Sequence, residues 1–165
     1  MESTMGIKYA YFASGCFWGT EYFFENFKGV KSAVSGYMGG HIDNPTYEMV
    51  CSGATGHLEC VRVEYDESEV SYEELVKQFF ETHDFTQTNG QGPDLGSQYL
   101  SGIFYETENE KAVCIEYIKK LMDMGYNVAT TLHTMAKFYE AEGYHQDYYA
   151  RHNKVPYCHT YRKIF

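Results

Sequence analysis

Nowhere does the chain hold the uninterrupted apolar run of about 18 residues that a membrane helix needs. Its first residues, Met1 to Gly6, lack a basic stretch followed by an apolar one. No secretory leader is expected, and the expected location is cytoplasmic. Positive charge is scarce: 13 Lys and Arg stand against 23 Asp and Glu, for a formal net charge of −10. A surface of that sign repels nucleic acid and anionic membranes, so neither is an expected partner. There is no C-x-x-C pair. The five cysteines, Cys16, Cys51, Cys60, Cys114 and Cys158, are scattered and odd in number, which speaks against a disulfide framework. A zinc site would have to gather ligands from distant segments, so no metal is expected. Internal repeats and low-complexity tracts are missing as well.

What is present is enough for one domain over residues 1–165, with 44% hydrophobic residues to build a core. Aromatic residues reach 18%, and 17 of them are Tyr, which suits amphipathic rings at a pocket as well as in a core. The only Trp stands in Ser14-Gly15-Cys16-Phe17-Trp18-Gly19. Ile7 to Ala13 before it alternates as a strand, and Thr20 to Phe27 after it returns apolar residues at helical spacing. Cys16 therefore falls where a strand becomes a helix. Unpaired N–H groups at a helix N-terminus favour thiolate over thiol, and flanking glycines let the backbone bend and approach a ligand. The inference is a nucleophilic or redox cysteine beside an apolar notch lined by Phe17 and Trp18. The plainer alternative is a buried Cys in an aromatic core.

Further along, Val30 to Tyr37 reads as a second strand, and Met38 to His57 as a long loop of the kind that carries function. Leu58 to Tyr65 reads as a third strand, in which Glu59 shares the face of Val61 and Val63 by period two. A carboxyl on an apolar face is expected to be raised in pKa by desolvation. An edge-strand Glu turned to water is the commoner fate. Ser71 and Glu74 form a capping box for a helix on Leu75, Val76, Phe79 and Phe80 that ends at His83-Asp84. Phe85 to Gln98 reads as a second long loop, and Tyr99 to Tyr105 as a fourth strand. Glu106 to Met124 reads as a helix with Gly125 past its end, and Val128 to His133 as a fifth strand. Phe138 to His152 suits a turn and a helix. The order β-α-β-β-α-β-α-β predicts an α+β fold: a two-layer sandwich with a ferredoxin-like β-α-β-β-α-β core and a mixed sheet.

Such a topology gathers Cys16, Phe17, Trp18, Tyr47, Glu59, Asp94 and Tyr99. A thiolate, a buried acid and phenol donors suit attack on an electrophile whose leaving oxygen needs a proton. His57 and His83 are the candidates for a rival cysteine hydrolase or acyltransferase, although no clear Cys-His-Asn signature is present. A third reading is a non-enzymatic module whose Tyr-rich acidic surface binds a protein.

Gly15-Cys16-Phe17-Trp18-Gly19, Asn44-Pro45-Thr46-Tyr47, Gly56-His57-Leu58-Glu59, Asp94-Leu95-Gly96-Ser97-Gln98-Tyr99 and Tyr144-His145-Gln146-Asp147-Tyr148 together resemble the ordered motifs of the A-class peptide methionine sulfoxide reductases. The resemblance spans nearly the whole chain. It implies an α/β sandwich and a protein-repair activity under oxidative stress. By it, Cys16 attacks the sulfur of methionine S-sulfoxide, in proteins or as the amino acid, and becomes a sulfenic acid. Glu59 donates a proton to the sulfoxide oxygen, Tyr47 and Tyr99 hydrogen-bond that oxygen, Phe17 and Trp18 hold the methyl group, and Asp94 helps to place the substrate. No cofactor is bound. The reductant is an external thiol, thioredoxin or glutathione with glutaredoxin, and Cys158 is the positional candidate for resolving the sulfenic acid. Relatives commonly have Pro at Phe85 and Arg at Leu100. The second departure removes a substrate-edge contact rather than a catalytic group.

Overall fold

A computed structural model describes residues 6–92, 94–146 and 161–165. The chain begins with β1 (Ile7–Ser14), α1 (Phe17–Glu25), β2 (Val30–Met38), α2 (Tyr47–Cys51) and β3 (Leu58–Asp66). It continues through α3 (Tyr72–Glu81), the two-residue strands β4 (Gly90–Gln91) and β5 (Asp94–Leu95), and β6 (Ser101–Tyr105). It then runs through α4 (Glu108–Asp123), β7 (Thr131–Thr134) and β8 (Tyr139–Glu140). Six strands form one sheet in the order β7-β6-β1-β3-β2-β8. Among the described residues only β6 and β7 run parallel; every other neighbouring pair in this sheet is antiparallel. The inner order β6-β1-β3-β2 is that of the expected ferredoxin-like core, and the parallel β7 makes the sheet mixed.

Period two divides the sheet into two faces. Phe12, Val61, Val63 and Ile103 face the helices and join Phe24, Leu75, Phe79, Phe80, Tyr117 and Leu121 in the main core. Ala13, Leu58, Cys60 and Phe104 face the other way, into a smaller cluster with Tyr11, Leu100, Met135 and Phe138. Phe12 stacks on Phe24 with centroids 4.9 Å apart and on Phe79 at 5.4 Å. Each such ring stabilises by roughly 1.5–3 kcal/mol through burial. β3 lies between β1 and β2, not at an edge, so the odd-numbered Glu59 is carried into the core layer. Among the described residues no helix is long and apolar enough to cross a membrane.

Several boundaries differ from the sequence reading. The first helix starts at Phe17 rather than Thr20, directly after Cys16. The Met38–His57 stretch contains α2, capped by Thr46, whose side chain accepts from the Met49 amide at 3.3 Å. Ser97–Tyr99 is a 3-10 turn, so the fourth main strand starts at Ser101. The expected strand over Val128–His133 is shifted to Thr131–Thr134. The segment from Phe138 forms β8 and a 3-10 turn at Gly143–His145 rather than a helix up to Gln146. The shortest of these, α2, β8 and the 3-10 turns, carry too few residues for a period and are set by contacts with distant chain. The Ser71–Glu74 capping box is present with both of its hydrogen bonds, and Gly125 follows α4 with φ +100°.

Candidate active site

β1 ends at Ser14, and Gly15 turns the chain with φ +97°, a conformation that glycine adopts without cost from a Cβ. Cys16 is then the N-cap of α1, with φ −56° and ψ 122°. Its carbonyl accepts from the Gly19 amide at 3.1 Å and the Thr20 amide at 3.4 Å. The Thr20 hydroxyl lies 3.3 Å from the same carbonyl and 2.7 Å from the Ser14 hydroxyl. These bonds hold the strand-to-helix corner rigid around the sulfur. Cys16 keeps 7% exposure.

The residue after Cys16 makes the link that matters most. The amide N–H of Phe17 donates to Oε1 of Glu59 at 3.1 Å. Glu59 is 1% exposed and pairs in register with Tyr37 of β2. A helix-end donor that would lack an intrahelical partner is thus satisfied by a buried carboxyl group from the central strand. One peptide unit separates that carboxyl from Cys16.

Two phenols complete the group. Burial pushes the Tyr47 hydroxyl up, helped by a hydrogen bond to Cys51 and by the Glu59 carboxyl. Burial also pushes the Tyr99 hydroxyl up, and the nearby Glu59, Cys51, Cys16 and Asp94 side chains, where ionised, push it the same way. All four groups therefore act on the Tyr99 oxygen. Both phenols remain protonated donors at neutral pH. Asp94 sits half-buried on β5, in the loop that leads to Tyr99.

The aromatic residues are layered. Phe17 is wholly buried, with its ring 6.4 Å from Tyr47 and 5.6 Å from Tyr37. Trp18 is only partly buried and donates its indole N–H to Nδ1 of His145 at 3.1 Å.

Three residues near these side chains escaped the sequence reading of the site. Cys51 closes α2, and its carbonyl accepts from the Gln98 side chain at 3.4 Å. The residue is exposed overall, yet desolvation of its thiol pushes it up, against hydrogen bonds from Tyr47 and Tyr99. Glu142 accepts from the Tyr37 hydroxyl at 2.9 Å and from the Tyr47 amide at 3.0 Å. His145 is 1% exposed and lies 4.3 Å, ring to ring, from Tyr47. The Tyr144–Tyr148 motif was the available signal for His145, though nothing in its spacing assigns a task to each residue.

The other histidines are engaged elsewhere. His57 Nδ1 accepts from the Gly40 amide at 3.0 Å, so Nε2 carries the proton and donates to the Ile42 carbonyl at 2.7 Å. His83 Nδ1 donates to the Phe79 carbonyl at 2.7 Å, and Nε2 accepts from Ser101 at 2.8 Å. Both ring nitrogens are used in each, which disfavours a Cys-His hydrolase. Cys158 lies outside the described residues. Among those described, no cluster of three or more His, Cys, Asp or Glu is placed to hold a metal ion.

The family model described as peptide methionine sulfoxide reductase matches residues 8–164. The peptide methionine sulfoxide reductase MsrA of Nautilia profundicola is 47% identical over 149 residues, covering 90% of this chain and 86% of its own. MsrA of Thermus thermophilus is 46% identical over 147 residues, with 88% and 84% covered. Among solved structures, methionine sulfoxide reductase A of Corynebacterium diphtheriae superposes with TM-score 0.82 at 33% identity, over 96% of this chain and 80% of that one. Reduced Mxr1 from Saccharomyces cerevisiae superposes with TM-score 0.88 at 32% identity, over 95% and 93%.

Proposed function

The chain belongs to the peptide methionine sulfoxide reductase family, and on that premise we propose that it repairs oxidised methionine through Cys16 and Glu59. The substrate is methionine S-sulfoxide, within proteins or as the amino acid. Cys16, at the N-terminal end of α1, has its thiolate favoured by the partial positive charge of the helix end. The thiolate forms a bond to the sulfoxide sulfur. Sulfoxide oxygen is a poor leaving group until it is protonated, and Glu59 supplies that proton. A carboxyl group taken out of water is easier to keep neutral than charged, which suits a proton donor at neutral pH.

Tyr47 and Tyr99 donate hydrogen bonds to the oxygen as negative charge develops on it, and Asp94 helps to place the substrate. Trp18 and Phe17 receive the methyl group by apolar contact. The oxygen passes to Cys16, which becomes a sulfenic acid, and methionine leaves. A second thiol then forms a disulfide with Cys16 and releases water, and a dithiol reductant restores both thiols. Cys158 is the candidate internal resolver; thioredoxin, or glutathione with glutaredoxin, supplies the electrons.

The observation that carries this reading is the Phe17 amide bond to Glu59, which ties the acid to the corner that bears the nucleophile. Cys16→Ser should abolish reduction of methionine S-sulfoxide while leaving the circular dichroism spectrum unchanged. Turnover retained by that variant would end the proposal. In Cys158→Ser the sulfenic acid should accumulate after one turnover; a disulfide forming at the normal rate would assign resolution to another thiol.

A further inference from the structure

The polar network behind the aromatic residues has no part in the chemistry above. Trp18 donates its indole N–H to His145 Nδ1 at 3.1 Å. A ring nitrogen that accepts carries no hydrogen, so the imidazole is the neutral tautomer protonated at Nε2. Nε2 faces Oε1 of Glu142 at 3.9 Å. The imidazole also lies 4.3 Å from the Tyr47 ring and 5.3 Å from the Phe17 ring. The segment that bears it is fixed on β2. The Gln146 side chain accepts from the Ser35 amide at 2.9 Å and donates to the Ser35 carbonyl at 2.9 Å. Glu142 fixes the other end by taking the Tyr37 hydroxyl and the Tyr47 amide. Residues 142–146 thus hold the backs of Trp18, Tyr37 and Tyr47 together.

Packing orients the wholly buried Phe17 without help. Trp18 is only partly buried, and a large ring at a rim has several rotamers that bury similar area. A hydrogen bond to the indole N–H selects one of them. We infer that His145 is a positioning residue. Its neutral imidazole fixes the indole of Trp18 and, packed on Tyr47, sets the wall against which a substrate's methyl group and sulfoxide oxygen are placed. This rests on the proposed function for its kinetic consequence only; the orientation of Trp18 does not depend on what the enzyme turns over.

The test uses the fact that Trp18 is the only tryptophan, so its emission reports this site alone. His145→Phe keeps a ring and removes the acceptor. His145→Asn offers an amide oxygen near the place of Nδ1. His145→Phe should shift the emission to the red, increase quenching by acrylamide, and raise KM for methionine S-sulfoxide roughly three- to tenfold, the size of one hydrogen bond, with a smaller change in kcat. His145→Asn should recover most of both effects. With Trp18→Phe as background, His145→Phe should raise KM no further. An unchanged emission and KM in His145→Phe would overturn the inference. Equal damage in the Phe and Asn variants, or a full additional KM effect in the Trp18→Phe background, would reduce His145 to a packing residue and overturn it too. If His145→Phe does not fold, the emission and KM of His145→Asn decide: near-native values sustain the inference, and values as altered as those of Trp18→Phe refute it. Wild type that fails to reduce sulfoxide while the emission shifts appear would remove the proposed function and leave the Trp18–His145 link standing.

Discussion

Replacing Glu59 by Gln separates structure from chemistry at this site. Oε1 of Glu59 accepts the Phe17 amide at 3.1 Å, and an amide oxygen accepts the same bond. Glu59 is 1% exposed, and Gln has nearly the same volume, so no cavity opens. The stability change should stay below about 1 kcal/mol, which for a chain of this length is a melting shift of roughly 3 °C or less. The proton is lost entirely, because the amide does not give one up. General acid catalysis contributes about 10²- to 10⁴-fold, so kcat for methionine S-sulfoxide should fall by that range while KM changes little. Glu59→Ala, by contrast, leaves the Phe17 N–H unsatisfied and should cost about 1–3 kcal/mol as well as the rate. The assay is rapid-quench measurement of methionine released in the first turnover, run beside thermal melts of all three proteins. A Glu59→Gln protein within threefold of the wild-type rate would refute the proton-donor role. So would a rate loss that follows the loss of folded protein.

Other outcomes follow from the same geometry. Glu142 should make stability depend on pH. Burial alone would raise its carboxyl, but hydrogen bonds from the Tyr47 amide and the Tyr37 hydroxyl hold it below the ordinary carboxylate range. A depressed carboxyl stabilises above the unfolded value, about 4.3, and loses that contribution as pH falls through the folded value. Wild type should therefore melt above Glu142→Gln near neutral pH, with the gap closing below about pH 4; a gap that widens in acid would contradict this. Ser71→Ala removes the cap of α3 and should cost about 1 kcal/mol in urea unfolding, with activity unchanged. Gly36→Ala would press a Cβ into the Phe138 ring and set it 2.5 Å from the Tyr139 carbonyl, across the β2–β8 pairing. It should lower both stability and kcat/KM, because β8 leads directly into Glu142 and His145.

What the sequence made legible was local or periodic. The Ser71 box needs only two residues three apart. The inward turn of Glu59 follows from counting by twos along β3. Cys16 at a strand–helix junction follows from a change of period. What it hid was set by distant partners. α2 is five residues long and is held at its start by Glu142, 95 positions away. His145 meets Trp18 across 127 positions. Neither pairing leaves a trace in spacing or composition. Cys51 reads in the sequence as one of five scattered cysteines, and its nearness to Tyr47 and Tyr99 depends on how the 3-10 turn at Ser97–Tyr99 folds against α2.

The central claim is that one cysteine takes up the oxygen of the substrate. The direct measurement is the mass of the intact protein and of its Cys16 peptide after one equivalent of methionine S-sulfoxide, quenched with a 1,3-dione that captures sulfenic acids. A Cys158→Ser protein should carry the adduct on Cys16, with one methionine released for each protein. An adduct on any other cysteine, or methionine released while Cys16 stays an unmodified thiol, would contradict the account.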